Sequence, residues 1–287
     1  MTTTNDAPSR GRALSPDEPA GVFVRTGVGD VHVKIDGDPS ADVVCVFVHG
    51  LPGSLRDFTL AARGLAARGG CAVRVDMPGF GRSPPSSTLL VRPAERAALI
   101  ADVMRARGHR RYAVCGHSFG GTTALALAAQ ADAVTAVVLA CSVGITRHRG
   151  LTIPHELTGV IAGLRTVPVV GGPLTAPFVG RFRAAAERLG VRGDRPFSDD
   201  ELVAQAKVIG GLDFADLRRY AASVRVSVLV LSAEDDRLVE PAVGFTLAAA
   251  LRAAPLVTHH HRAQGGHFLQ HRAADVIADW LATVGRA

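Results

Sequence analysis

One serine in the chain has the sequence setting of a catalytic nucleophile. The segment Gly116-His117-Ser118-Phe119-Gly120 follows the apolar run Tyr112–Cys115 and precedes the alanine-rich run Thr122–Ala131. A serine between a strand and a helix, with glycine two positions before and after it, fits a sharp turn that exposes its hydroxyl. The N-terminus of the helix that follows favours negative charge developing nearby. The pattern therefore predicts Ser118 as a nucleophile.

A second glycine-containing loop could stabilise the oxyanion that such a nucleophile generates. His49-Gly50-Leu51-Pro52-Gly53-Ser54 follows the apolar run Val43–Val48. Acyl transfer needs two backbone N–H donors directed at the developing negative charge. We expect one from Phe119, directly after the nucleophile, and the other from Leu51. Proline has no N–H, which excludes Pro52 as a donor.

Three blocks of the sequence together resemble the α/β-hydrolase superfamily, in its serine-nucleophile, esterase-like branch. They are His49–Ser54, Asp76–Ser83 and Gly116–Gly121, which follow one another in the family's order and at similar spacing. The resemblance implies an α/β fold with a mostly parallel central sheet, flanking helices and a helical cap insertion. We interpret Asp76–Ser83 as structural, because Asp76 precedes the nucleophile, whereas the family order is serine, acid, histidine.

The same resemblance implies the acid and the base. Ser232–Val239 follows the apolar run Val226–Leu231 and is similar to the family's acid loop, which makes Asp236 the acid. Asp235 and Glu234 stay open as alternatives, because three carboxylates are consecutive and Ala233 replaces a usual glycine. Gln264–Phe268 resembles the family's histidine loop and makes His267 the general base. The acid would orient that histidine and stabilise its charged form.

The remaining late histidines lack this setting; they are His259, His260, His261 and His271. Three consecutive histidines suggest metal binding at first sight. Alternate residues of a strand point to opposite faces, however, so the three cannot easily serve one site. We predict no metal. We also predict no cofactor, because no G-x-G-x-x-G motif follows the first strand.

The elements that must position these residues alternate along the chain. The predicted strands include continuous apolar runs, which indicate strands buried on both faces of a parallel sheet. The predicted strands are Gly21–Thr26, Val31–Asp36, Val43–Val48, Ala72–Val75, Tyr112–Cys115, Val134–Cys141, Val226–Leu231 and Leu256–His260. The predicted helices are Leu55–Arg68, Ala94–Arg107, Thr122–Ala131, Ala242–Ala253 and Ala273–Val284. Such alternation predicts an α/β architecture.

The alternation divides the chain into three predicted parts. Residues 1–20 are rich in Thr, Ser, Pro and Asp, which predicts a solvated tail. Residues 21–142 and 221–287 form the predicted core domain. Residues 143–220 contain no clear core strand, several prolines and a helix-like segment at Asp199–Val208. A stretch of that length predicts a cap over the site.

Composition restricts the possible classes of partner. The net charge is +6, but the arginines are scattered, which argues against nucleic acid as a partner. No apolar run approaches the roughly 20 residues that span a bilayer, so we predict no membrane span. The four cysteines lie in or beside apolar runs, which favours buried thiols and a cytoplasmic location. The sequence leaves the oligomeric state open.

These inferences predict a serine hydrolase that cleaves a carboxylic ester of a small molecule through an acyl-enzyme intermediate. Apolar cap segments at Val167–Val170 and Pro177–Val179 suggest a substrate with an apolar portion, or simply packing of the cap onto the core. Three alternatives stay open: hydrolysis of a carbon–carbon bond in a diketone-like metabolite, a thioesterase or lactonase in a biosynthetic pathway, and a non-catalytic ligand receptor on the same fold.

Overall fold

A computed structural model describes residues 21–86, 90–151, 171–188 and 199–284, together with residues 160, 163 and 164. The predicted tail, residues 1–20, and part of the predicted cap lie outside the described residues. The strands are β1 Val22–Thr26, β2 Gly29–Gly37, β3 Val44–Val48, β4 Cys71–Val75, β5 Tyr112–His117, β6 Val134–Ala140, β7 Ser227–Ala233 and β8 Val257–Arg262. The helices are α1 Thr59–Ala67, α2 Pro93–Ala106, α3 Phe119–Gln130, α4 Gly171–Arg188, α5 Asp199–Gly210, α6 Phe214–Ser223, α7 Pro241–Ala250, α8 Leu269–Arg272 and α9 Ala274–Val284.

The eight strands form one sheet in the order β1-β2-β4-β3-β5-β6-β7-β8. Strand β2 runs antiparallel to both of its neighbours, and every other pair is parallel. Strands β3, β4 and β5 are buried along their whole length, as their continuous apolar runs predict. Because β3 to β8 run parallel, their carboxyl ends meet at one edge of the sheet. The candidate loops begin at this edge.

Helices cover both faces of the sheet. Along β3, Val46 packs into a core with α2, α3, α6 and α7, whereas Phe47 packs on the opposite face against α1, α8 and α9. This alternation is the two-residue period of a strand. The predicted helix Leu55–Arg68 begins as a 3-10 turn, Leu55–Phe58, before α1. All four cysteines are buried free thiols.

The described residues between β6 and β7 are largely helical. Helices α4 and α5 pack against each other, where Val179 meets Leu202, Val203 and Ala206 in a small separate cluster. The predicted helix-like segment Asp199–Val208 lies within α5. Among the described residues, no helix combines the length and the hydropathy that a membrane crossing requires.

Candidate active site

Ser118 occupies a strained turn between β5 and α3. Its φ of 51° and ψ of −116° lie in a region that non-glycine residues rarely adopt. The glycines on either side are required by close packing. A Cβ at Gly116 would overlap the carbonyl of Gly120, and a Cβ at Gly120 would overlap the carbonyl of Val48. The turn is therefore built only where both positions lack a side chain, which explains the spacing of the motif.

His267 links this serine to a buried carboxylate. Its Nε2 lies 2.9 Å from Ser118 Oγ, and its Nδ1 lies 2.9 Å from Asp236 Oδ2. Because a carboxylate only accepts hydrogen bonds, Nδ1 carries the proton, and Nε2 is left free to accept the serine proton. Residues 118, 236 and 267, far apart in the chain, thus form one chain of hydrogen bonds, the arrangement that a nucleophile and its base require.

Three consecutive carboxylates in the loop after β7 have different partners. Asp236 is 1% exposed, and its Oδ1 accepts from the amides of Leu238 and Val239. Burial alone would raise the pKa of Asp236, but the His267 contact and these two amides outweigh it and lower the pKa. Asp235 instead accepts from the Gly266 amide at 2.7 Å. Both side chains therefore hold the loop that carries His267, but only Asp236 contacts the imidazole.

The third carboxylate, Glu234, is exposed and lies 3.3 Å from His261. It makes no contact with His267 among the described residues. Its position excludes it from the hydrogen-bond chain that reaches Ser118. Of the three acids that the sequence left open, the structure brings Asp236 alone to the imidazole.

The loop that carries His267 is also held by the turn Gly116–Gly120 around Ser118, which we call the elbow. His117 Nε2 donates to the carbonyl of His267 at 2.8 Å, and the two rings lie 4.9 Å apart. Gly265 and Gly266 both have positive φ, and a Cβ at Gly265 would overlap Leu269. His117 therefore ties the turn around Ser118 to the loop that carries His267. The histidine is thus positioned from both its ring and its backbone.

Leu51 and Phe119, the predicted oxyanion donors, line the same pocket as Ser118. Phe119 is the first residue of α3, where backbone amides have no partner within the helix. The loop that carries Leu51 approaches the elbow closely, because a Cβ at Gly50 would lie 3.0 Å from the Ser118 Cβ. His49 fixes this loop: its Nδ1 donates to the Gly50 carbonyl at 2.7 Å. Both amide-bearing segments therefore lie beside the serine.

Asp76 forms its hydrogen bonds away from His267. Its carboxylate contacts His32 Nδ1 at 2.8 Å and accepts from the amides of Leu55 and Arg82 at 2.7 and 3.0 Å. Burial would raise the pKa of Asp76, but these hydrogen bonds outweigh it and lower the pKa. The side chain joins β2 to the two loops that follow β3 and β4. This agrees with the interpretation of Asp76–Ser83 as a structural block.

A pocket with mostly apolar walls lies over Ser118. Its apolar lining comes from the loops after β3, β6, β7 and β8 and from helices α3 and α5. It consists of Leu51, Pro52, Phe119, Val143, Leu151, Ile209, Leu238, Val239 and Phe268. Two further polar residues line it: His117, whose Nε2 donates to the His267 carbonyl, and His148, which is 8% exposed. Sequence reasoning missed His148, because no motif surrounds it. Its position eight residues after β6 was the one available signal.

The run of histidines on β8 lies outside this pocket. His259 and His261 share one face and both contact Ser232 Oγ, at 2.8 and 2.9 Å, whereas His260 accepts from Arg262. The alternation predicted for a strand is thus confirmed. Within the described ranges, no group of three or more His, Cys, Asp or Glu side chains is arranged to hold a metal ion.

Comparison with known proteins relates the chain to a family of hydrolases. A model of the alpha/beta hydrolase family matches residues 45–280. A relative in Rhodobacter capsulatus, named magnesium-chelatase 30 kDa subunit, is 29% identical over 272 residues, which cover 86% of this chain and 89% of the relative.

Two solved structures share the fold. An esterase from Exiguobacterium antarcticum is similar with a TM-score of 0.68 and 16% identity, over 93% of this chain and 100% of the esterase. An enol-lactonase from Burkholderia xenovorans gives a TM-score of 0.67 and 22% identity, over 92% of this chain and 99% of the lactonase. At these identities the similarity concerns the fold. Since the family model matches more than half of the sequence, the chain belongs to the alpha/beta hydrolase family.

Proposed function

We propose that this protein is a serine hydrolase that cleaves a carboxylic ester through a Ser118–His267–Asp236 triad. The observation that carries the proposal is the continuous chain of two 2.9 Å hydrogen bonds from Ser118 Oγ to Asp236 Oδ2. The serine end of this chain opens into the pocket. Family membership supports hydrolysis as the reaction class, and the site residues supply its chemistry.

In the acylation step, Ser118 Oγ attacks the ester carbonyl while His267 Nε2 takes the hydroxyl proton. The amides of Leu51 and Phe119 hold the oxyanion, and Asp236 stabilises the imidazolium. When the tetrahedral intermediate collapses, the bond between the carbonyl carbon and the alcohol oxygen breaks. The alcohol leaves with the proton from Nε2, and the acyl group stays on Ser118.

In the deacylation step, water repeats the same chemistry. His267 takes a proton from water as the oxygen attacks the acyl-enzyme, and the second intermediate collapses to a carboxylic acid. The proton returns to Ser118 Oγ. The cycle consumes one water and needs no cofactor or metal.

The substrate that fits this pocket is a small molecule with an apolar portion. Apart from Ser118 and the three histidines His117, His148 and His267, its lining side chains are apolar. We further propose that residues 143–220 act as a cap, because Val143, Leu151 and Ile209 from this region contribute to the pocket walls. The free, buried thiols fit the predicted cytoplasmic location.

Thioesters and lactones are cleaved by the same acyl chemistry, so they belong in the first substrate panel.

A second candidate function rests on the Rhodobacter relative. Its 29% identity extends along 86% of this chain, and its name makes it a subunit of a magnesium chelatase. A subunit role of this kind would not depend on the Ser118 hydroxyl, whereas ester hydrolysis would. The two functions are therefore separated by one substitution.

The experiment is steady-state hydrolysis of p-nitrophenyl esters from acetate to octanoate by the wild type and by Ser118→Ala. We expect the substitution to lower kcat by at least about 10⁴-fold, because triad members act as a unit. Ser232→Ala is the matched control. The Ser232 hydroxyl also contacts a histidine, His259, but Ser232 lies outside the pocket.

The control should retain wild-type turnover. Turnover that persists in Ser118→Ala would overturn the mechanism. Folded wild-type protein that cleaves no oxygen ester, thioester or lactone would instead favour the subunit role.

A further inference from the structure

His148 is one of three histidines that line the pocket, and the proposed mechanism gives it no role. It lies in the loop after β6, is 8% exposed, and lines the pocket together with Ser118 and His267. A buried polar side chain among apolar walls is costly unless it forms hydrogen bonds. The partners of its two ring nitrogens therefore indicate what the residue does.

The first ring nitrogen defines the tautomer. Nδ1 lies 3.0 Å from the carbonyl of Leu238, which only accepts, so Nδ1 carries the proton and donates it. The Gly150 amide also lies 3.2 Å from Nδ1, but it donates to the same Leu238 carbonyl at a shorter 2.8 Å. The neutral ring therefore has a lone pair on Nε2.

The second ring nitrogen has no hydrogen-bond partner among the described residues, although it is buried. Burial lowers the pKa of His148 below the usual histidine value, and repulsion by His267 adds to this effect, against the opposing hydrogen bond to Leu238. The ring is therefore neutral near pH 7, and Nε2 is an acceptor without a donor. An unused acceptor on a side chain that lines a pocket can recognise a hydrogen-bond donor of the substrate.

The loop around His148 is fixed to the loop that carries the acid. The Arg149 amide donates to Glu240 at 2.9 Å, and a Cβ at Gly150 would lie 2.9 Å from the Leu238 carbonyl. The Nδ1–Cε1 edge of the ring faces position 150, 3.1 Å from the place of such a Cβ. These contacts fix the position of the ring, and with it the position of Nε2. A preorganised acceptor of this kind discriminates between ligands better than a mobile side chain does.

We propose that His148 Nε2 accepts a hydrogen bond from a hydroxyl group of the substrate, so that the enzyme selects hydroxylated esters over their apolar counterparts. The proposal rests on the proposed esterase function. A neutral hydroxyl suits the site better than an ammonium group, because the apolar walls offer no compensation for desolvating a charge. The hydroxyl could lie on the acyl or the alcohol portion, and the two are distinguished experimentally.

The kinetic test uses matched pairs of esters. The acyl pair is p-nitrophenyl 3-hydroxybutyrate and p-nitrophenyl butyrate, and the alcohol pair is 2-hydroxyethyl butyrate and propyl butyrate. We expect the wild type to favour the hydroxylated member of one pair by roughly tenfold in kcat/KM, the usual effect of one hydrogen bond. His148→Leu should abolish that ratio.

His109→Leu is the matched control. His109 also has a buried Nε2 without a partner among the described residues, but it precedes β5, at the opposite end of the strand from Ser118. This variant should keep the wild-type ratio. Equal rates within both pairs, or a ratio that survives in His148→Leu, would overturn the proposal.

A binding test separates this proposal from the esterase function. In Ser118→Ala protein labelled with ¹⁵N-histidine, the Nε2 resonance of His148 should identify an unprotonated nitrogen. It should shift on addition of methyl 3-hydroxybutyrate or 2-hydroxyethyl butyrate, and not on addition of methyl butyrate. A protonated Nε2, or no shift with either hydroxylated ligand, refutes the role of His148 even if the wild type hydrolyses no ester.

Discussion

Asp236→Asn is the substitution for which the geometry makes the sharpest prediction. Asp236 Oδ1 accepts from the amides of Leu238 and Val239 at 2.8 and 2.9 Å, while Oδ2 faces His267 Nδ1. An asparagine at this position must keep its oxygen toward the two backbone donors. Its NH₂ group then faces His267 and donates to Nδ1. The imidazole proton is forced onto Nε2, where it prevents acceptance of the Ser118 proton.

The expected loss is that of a triad with the wrong histidine tautomer. Such a change lowers kcat by about 10⁴-fold, which corresponds to about 5 kcal/mol of transition-state stabilisation. Asp235→Asn is the matched comparison, because its amide oxygen can still accept from Gly266. Loss of charge from that one hydrogen bond should cost about tenfold or less.

The assay is the kcat for a p-nitrophenyl ester, with near-ultraviolet circular dichroism as a check that both variants fold. ¹⁵N spectra of His267 should show the proton on Nδ1 in the wild type and on Nε2 in Asp236→Asn. The reasoning fails if Asp236→Asn retains more than about a tenth of wild-type kcat, or if Asp235→Asn is the more damaging change.

Two further predictions concern stability. Gly120→Ala should lower the free energy of unfolding in urea by about 3 kcal/mol, because its Cβ would overlap the carbonyl of Val48. Gly180→Ala, at an exposed position of α4 with nothing within 4 Å of a new Cβ, should raise it by about 0.5–1 kcal/mol, and equal effects would contradict the packing argument. The lowered pKa of Asp76 means that the unfolded state binds protons first as the solution is acidified. Stability should therefore fall from about pH 5 down through that lowered pKa, and Asp76→Asn should flatten the fall in urea titrations at pH 3–6.

The fold was predictable because its signals are local. Continuous apolar runs mark buried parallel strands, and the family match confirms the predicted α/β-hydrolase architecture. The elbow was predictable for a similar reason. Gly116 and Gly120 are imposed by backbone packing within a few residues of Ser118, so the constraint is written in the sequence itself. The extent of the cap stays a prediction, because much of it lies outside the described residues.

The choice among the three consecutive carboxylates shows what the sequence of a single segment does not determine. Glu234, Asp235 and Asp236 are consecutive and chemically equivalent, so nothing in their own segment separates them. Their partners do: the backbone turn that buries Asp236 directs Asp235 to the Gly266 amide and leaves Glu234 beside His261. The choice among them depends on how the loop after β7 meets a loop about 30 residues later. A resemblance to family spacing favoured Asp236, and the tertiary contact supplies the physical reason.

His148 illustrates the same limit for specificity. Nothing in the segment Arg147-His148-Arg149 indicates a binding residue, because its defining contacts are to Leu238, 90 positions away, and to a pocket built from several loops. Residues that perform the chemistry require a special backbone geometry, and that requirement leaves a motif. A residue that recognises the substrate requires only a correctly oriented side chain with an unused acceptor. This requirement leaves no motif in the sequence. If His148 selects hydroxylated esters, the residues that determine substrate specificity in related hydrolases should be sought in the loop after β6 and not in the shared catalytic motifs.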